Sequence, residues 1–201
     1  MPDAAELIQE HIIAGAKLRV EFFAVQTENL SRIALALSKT LAAGGKILSC
    51  GNGGSAADAQ HFTGELVGRF LYERPSIPGI TLSVDPSVMT AIGNDYGFEE
   101  VFARQVTGLG KPGDALVAIS TSGNSLNVIR ALEEARARGM LCIGLSGAGG
   151  GKMPALCDYF LDVPKAPTPL VQEIHGACIH LLCRLIDYYL FENALALQTD
   201  I

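Results

Sequence analysis

The chain has 201 residues, 49 % of them apolar and 18 % charged, which suits a soluble globular protein with a substantial core. A net charge of -6 argues against nonspecific nucleic-acid binding, so an anionic ligand must be held by local dipoles and a few cations. No apolar run reaches the about eighteen residues that a membrane helix needs, and the N-terminal "MPDAAELIQEHII" has no basic region before an apolar one. No membrane span, no signal peptide and a cytoplasmic location are therefore expected.

In chain order, residues 3–43 read as two amphipathic helices, "AAELIQEHIIAGAKLRVEFFAVQ" and "NLSRIALALSKTLAAGG", the second stopped by Gly44 and Gly45. Such a pair either packs on a partner subunit or covers its own core. An alternation follows. Strands are expected at 46–50, 79–84, 114–120, 140–146 and 159–163, each a nearly continuous apolar run. Helices are expected in "SAADAQHFTGELVGRF", "PSVMTAIGND", "FEEVFARQVTGL", "SLNVIRALEEARARG" and a long final "PLVQEIHGACIHLLCRLIDYYLFENAL". Strands alternating with helices predict a mostly parallel sheet covered on both faces, with ligands beyond the carboxyl ends of the strands. Cys50, Cys142, Cys157, Cys178 and Cys183 form no CxxC pair and read as buried reduced thiols.

The strand-to-helix loops carry the chemistry. After the first strand comes "GNGGSAADA". Its glycines allow close backbone approach, Ser55 is placed to cap the next helix, and a helix N-terminus favours an anion. After the third strand comes "STSGNS", residues 120–125, whose hydroxyls and amides can cradle a phosphate monoester. The run "SGAGGGKMP", residues 146–154, is expected to be a flexible surface connection rather than a third anion loop.

Four histidines are present. His61 and Glu65, at i and i+4, share a helix face and can hold a metal, transfer protons, or simply pair at the surface. Gln172 and His180 lie roughly 80° apart around the last helix and can converge with long side chains. His180 sits in an apolar stretch, either as a core residue or as a buried functional group. A phosphate cradle beside a carboxylate and a histidine suits proton transfer at a carbon next to a carbonyl, as in aldose–ketose interconversion.

Four ordered stretches, "GNGGSAADAQH", "AIGNDYGFEEVFARQV", "STSGNS" and "TPLVQEIHGACIH", resemble the sugar isomerase (SIS) family, and within it a branch acting on a seven-carbon sugar phosphate. The resemblance implies a three-layer, flavodoxin-like α/β sandwich with a five-stranded, mostly parallel sheet in one domain, 1–201. It implies a homotetramer with active sites at subunit interfaces, residues 1–44 lying at the interface. The implied reaction converts sedoheptulose 7-phosphate to D-glycero-D-manno-heptose 7-phosphate, the first step toward ADP-heptose and the lipopolysaccharide core. Carried over by position, Glu65 is the base and His180 its acid–base partner. Substrate would meet Asn52, Gly53, Gly54, Ser55, Glu65, Asn94, Asp95, Ser120, Thr121, Ser122, Ser125 and Gln172. In members that bind zinc, His61, Glu65, Gln172 and His180 supply the ligands.

Related chains often carry a basic residue where this one has Leu170, so a contact from that position is not expected here. A non-catalytic branch of the same family binds the bacterial replication initiator as a tetramer and echoes parts of this chain, but it lacks equivalents of Glu65 and His180. An isomerase of another sugar phosphate would use the same cradle and base.

Overall fold

The computed structural model describes residues 2–198; Met1 and residues 199–201, the two ends of the expected domain, lie outside that range. The first element is one helix, not two. α1 runs unbroken over Ala4–Ala42, opened by a capping box in which Asp3 and Glu6 bond reciprocally. The expected break falls at residues 27–28. Thr27 bonds back to the Phe23 carbonyl inside the helix. Asn29, where the second helix was expected to begin, donates to Gln26 and, at 2.9 Å, to the Phe160 carbonyl. With no glycine or proline in between, nothing interrupts the ladder. Gly44 and Gly45 end it by bonding back to Leu41 and Thr40.

β1 (Ile47–Gly51), β2 (Gly79–Thr81), β3 (Ala115–Ser120), β4 (Leu141–Ser146) and β5 (Tyr159–Asp162) form one parallel sheet in the order β2-β1-β3-β4-β5. Every residue of β1 and β3 is buried, because both faces are covered. Alternate residues feed two cores. Ile47, Val117 and Ile119 meet Phe22, Phe62 and Ile179 on one face. Leu48, Leu116 and Ala118 meet Phe102, Val128 and Leu132 on the other. Burying such a side chain is worth about 1.5–3 kcal/mol each. The second strand is shorter than its expected span of 79–84: the chain turns after Thr81, and Asp85 caps α3 (Pro86–Tyr96) by accepting from Ser87 and Val88.

α2 (Gly54–Val67) and α6 (Thr168–Asp187) lie side by side on the α1 face of the sheet, whereas α4 (Ala103–Leu109) and α5 (Leu126–Ala137) cover the other. The helix expected in "FEEVFARQVTGL" is a 3₁₀ turn, Phe98–Glu100, followed by α4. The last helix ends before its expected limit. A π turn takes over at Tyr188–Glu192, closed by Asn193 N–H on the Tyr188 carbonyl at 2.8 Å, and a 3₁₀ turn, Ala194–Gln198, follows.

A buried arginine ties α2 to α6. Arg74 pairs with Asp187 at 2.9 Å, the two side chains only 2 % and 1 % exposed. It also donates to the Glu65 carbonyl at 2.7 Å and the Leu66 carbonyl at 2.8 Å, satisfying acceptors that the end of a helix leaves open. The five cysteines are free thiols, four of them buried. Burial pushes Cys50, Cys142, Cys157 and Cys178 up to about 12, so these sulfurs stay protonated.

Candidate active site

The strand order changes direction between β1 and β3, which go on to opposite edges of the sheet. Two of the expected loops leave the carboxyl ends of these two strands, at the place where open parallel sheets bind ligands. The first loop turns on Gly53, at φ 56°. Gly51 also has to be glycine, since a Cβ there would meet the Ser55 carbonyl oxygen at 2.5 Å. Ser55 is not the cap that its position suggested. Gly53 occupies the N-cap with no side-chain bond, and Ser55 lies buried in the first turn of α2.

The second loop is built from its own hydroxyls. Ser120 Oγ lies 3.0 Å from Ser125 Oγ and 3.5 Å from Ser122 Oγ, and Ser122 Oγ accepts from Asn124 N–H at 3.2 Å. Gly123 turns the loop at φ 62°. A side chain on Gly123 would collide with the Gly150 carbonyl, because the 146–154 run packs against this loop. Gly147 N–H bonds to the Thr121 carbonyl at 3.1 Å, and Lys152 N–H to the Gly123 carbonyl at 3.0 Å. The expected flexible connection is therefore a fitted backing for the serine loop.

The acid–base residues gather where α2 meets α6. A Cβ on Gly54 would run into the Gln172 amide, so Gln172 lies over the start of α2. Two turns further on, His61 Nε2 is 3.2 Å from Glu65 Oε1 and 3.3 Å from His180 Nε2. The two imidazoles meet edge to face, and Phe70 stacks on His180 with ring centres 5.9 Å apart. His180 is exposed, facing His61, not buried. The buried histidine is His175, fully covered, bonded through Nε2 to the Ser146 carbonyl and lowered by burial to about 4. One turn before His61, burial raises the Asp58 carboxyl to about 6, against the pull of His61.

His61 Nε2 thus faces both Glu65 and His180. A neutral imidazole nitrogen carries either a hydrogen or a lone pair, so the donor and acceptor roles in these two contacts depend on the tautomers. The spacings match the edge of a tetrahedron with metal bonds of about 2.0–2.1 Å, which is about 3.4 Å. Donor types and the two spacings to His61 suit a zinc ion. Among the described residues, however, no three His, Cys, Asp or Glu side chains close into a metal cage. Glu65 and His180 each reach His61 rather than each other.

A model of the SIS domain matches residues 10–147. The chain belongs to the SIS domain family. Within it, the chain is 57 % identical over 196 residues to the phosphoheptose isomerase of Nitratidesulfovibrio vulgaris strain Miyazaki F, covering 98 % of this chain and 94 % of that one. The phosphoheptose isomerase of Desulfovibrio desulfuricans is also 57 % identical, over 194 residues covering 96 % of this chain and 92 % of the relative. The solved phosphoheptose isomerase of Neisseria gonorrhoeae superposes with a TM-score of 0.87 at 43 % identity, over 92 % of this chain and 99 % of that one. That of Francisella tularensis gives 0.90 at 38 % identity over the same shares.

On this SIS scaffold, Asn52, Gly53, Gly54, Ser120, Thr121, Ser122 and Ser125 lie in the two loops, while His61, Glu65, Gln172 and His180 lie along the α2–α6 seam. Asn94 and Asp95 lie at the end of α3. They bond to each other at 2.7 Å on the exposed end of α3, a helix with no buried residue. Leu170 is buried against α1 near Gly15, so no polar contact comes from that position. Sequence reasoning missed Asn127, which pairs with Asn52. The available signal was a lone amide on the apolar face of α5, beside Val128 and Ala131.

Proposed function

We infer that the protein is a phosphoheptose isomerase converting sedoheptulose 7-phosphate to D-glycero-D-manno-heptose 7-phosphate, a step toward ADP-heptose. The observation that carries this reading is the contact of both Glu65 and His180 with His61 on the α2–α6 seam, in a fold whose glycine loop and serine loop leave the carboxyl ends of β1 and β3. Phosphate sits on Ser120, Thr121, Ser122 and Ser125 at the N-terminus of α5, where backbone N–H groups and the helix dipole favour negative charge. Asn52, Gly53, Gly54 and Ser55 meet the sugar, with Asn94 and Asp95 contributing once subunits assemble. Glu65 takes a proton from C1 and returns it to C2. His180 exchanges protons with the two oxygens, so that the carbonyl moves from C2 to C1 with no net gain or loss of protons.

His61, Glu65, Gln172 and His180 are the residues that would hold zinc. Bound there, the ion would supply Lewis-acid polarisation of the substrate oxygens. Purified protein is expected to turn sedoheptulose 7-phosphate over, to lose at least about tenfold of that rate on chelation, and to regain it with zinc; a coupled assay reads all three. Full activity in metal-free protein would remove the zinc and leave the isomerase.

The working form is a cytoplasmic homotetramer with shared sites. The assembly rests on α1, whose first third, Ala4 to Lys17, buries no side chain in its own subunit. It exposes Leu7, Ile8, Ile12 and Ile13 at 53–68 %, an apolar stripe that a monomer would leave in water. Ile12→Glu is expected to shift the sedimentation of the protein from tetramer to smaller species. A wild type that sediments as a monomer would overturn the assembly.

A further inference from the structure

Between the two loops lies a reciprocal amide pair. Asn52 Nδ2 donates to Asn127 Oδ1 at 2.9 Å, and Asn127 Nδ2 donates to Asn52 Oδ1 at 2.8 Å. Asn127 is 3 % exposed, in the first turn of α5 and two residues beyond Ser125. Asn52 is half-buried, directly after β1. The pair spans the switch point of the sheet and walls a cleft of about 310 Å³ that Ser125, Phe98 and Glu99 also line.

A side-chain amide has two N–H donors and two acceptor lone pairs. The reciprocal pair uses one of each on both residues and fixes the plane of the Asn52 amide. What remains on Asn52 is one N–H and one lone pair in fixed directions, the complement of a sugar hydroxyl. Because Asn127 and Ser125 share one helical turn, the same pair also fixes the distance between the phosphate hydroxyls and that amide. No other side chain among the described residues bonds to the Asn52 side chain.

We propose that Asn127 is a positioning residue of the isomerase site, which holds the Asn52 amide toward the sugar and sets its distance from the phosphate cradle. The proposal rests on Asn52 lying at the sugar end of the site. It separates a role exercised through Asn52 from a general role in the fold of α5, because only the first disappears when Asn52 is already gone.

The test is a double-mutant cycle on the full-length enzyme with sedoheptulose 7-phosphate, with inorganic phosphate as a competitive probe of the cradle. Asn127→Ala is expected to raise KM about tenfold, the effect of one well-placed neutral hydrogen bond, with kcat changed by less than about threefold. Asn52→Ala should do the same, and the double variant should lie within about twofold of Asn52→Ala alone. Phosphate inhibition should stay within about twofold throughout. Independent, multiplying effects would overturn the proposal, as would an unchanged KM in Asn127→Ala or a parallel loss of phosphate affinity. If Asn52→Ala itself leaves KM unchanged, the placement of Asn52 against substrate fails and the proposal falls with it, while wild-type turnover still stands for the isomerase. Should Asn127→Ala fold poorly by circular dichroism, Asn127→Asp keeps the volume. It accepts from Asn52 but cannot donate to it, and the same non-additivity is required of it.

Discussion

Glu65→Gln is expected to lower kcat/KM for sedoheptulose 7-phosphate by about 10²- to 10⁴-fold, the usual worth of a positioned general base. The amide keeps the shape of the carboxylate and can still face His61, but it cannot take a proton from carbon. Stability should barely change. Glu65 is 25 % exposed at the side chain, and its only side-chain partner among the described residues is His61, itself 43 % exposed. Pairs of that exposure contribute about 0–1 kcal/mol. Loss of activity with an unchanged melting temperature would separate chemistry from folding, and a variant within about threefold of wild type would remove Glu65 as the base.

The largest loss of stability is expected at Arg74. Its guanidinium is the counter-charge of Asp187, in a pair where both side chains are almost fully covered. Arg74→Met leaves that carboxylate buried without a partner, at a cost of about 3–5 kcal/mol. For a chain of this size the melting temperature should fall by about 6–20 °C. Arg74→Met/Asp187→Leu should regain most of the loss, since replacing both charges by apolar groups removes the unpaired ion. Activity should fall with stability in the single variant, because the same guanidinium holds the Glu65 carbonyl and ties α2 to α6. A melting shift below about 2 °C in Arg74→Met would contradict this account of the tie.

The sheet was legible because β1, β3 and β4 are covered on both faces and so read as unbroken apolar runs. The loops were legible because their glycines and serines fall directly at strand ends. The unbroken α1 was not. Thr27 and Asn29 look like a helix boundary, and only the sheet edge at Phe160 shows why Asn29 has another partner. His180 was ambiguous for a related reason. His175 and His180 both have apolar neighbours, but five residues of helix turn them to opposite environments, one sealed against Ser146 and the other open toward His61. Gln172 and His180 do not meet at one point: α2 runs alongside α6 and offers Gly54 to one and, two turns on, His61 to the other. That neighbour comes from tertiary packing, which periodicity does not encode. Ser55 illustrates the reverse error: a good capping residue is displaced when glycine takes the N-cap one position before the helix begins.

The central claim is that Glu65 moves a proton between C1 and C2 of a ketose phosphate. The most direct measurement is the reaction of wild type and Glu65→Gln with sedoheptulose 7-phosphate in D₂O, followed by NMR at those two carbons. Deuterium should enter the sugar with wild type and stay at the enzyme-free background with Glu65→Gln. Deuterium entering at the wild-type rate with Glu65→Gln would contradict the account.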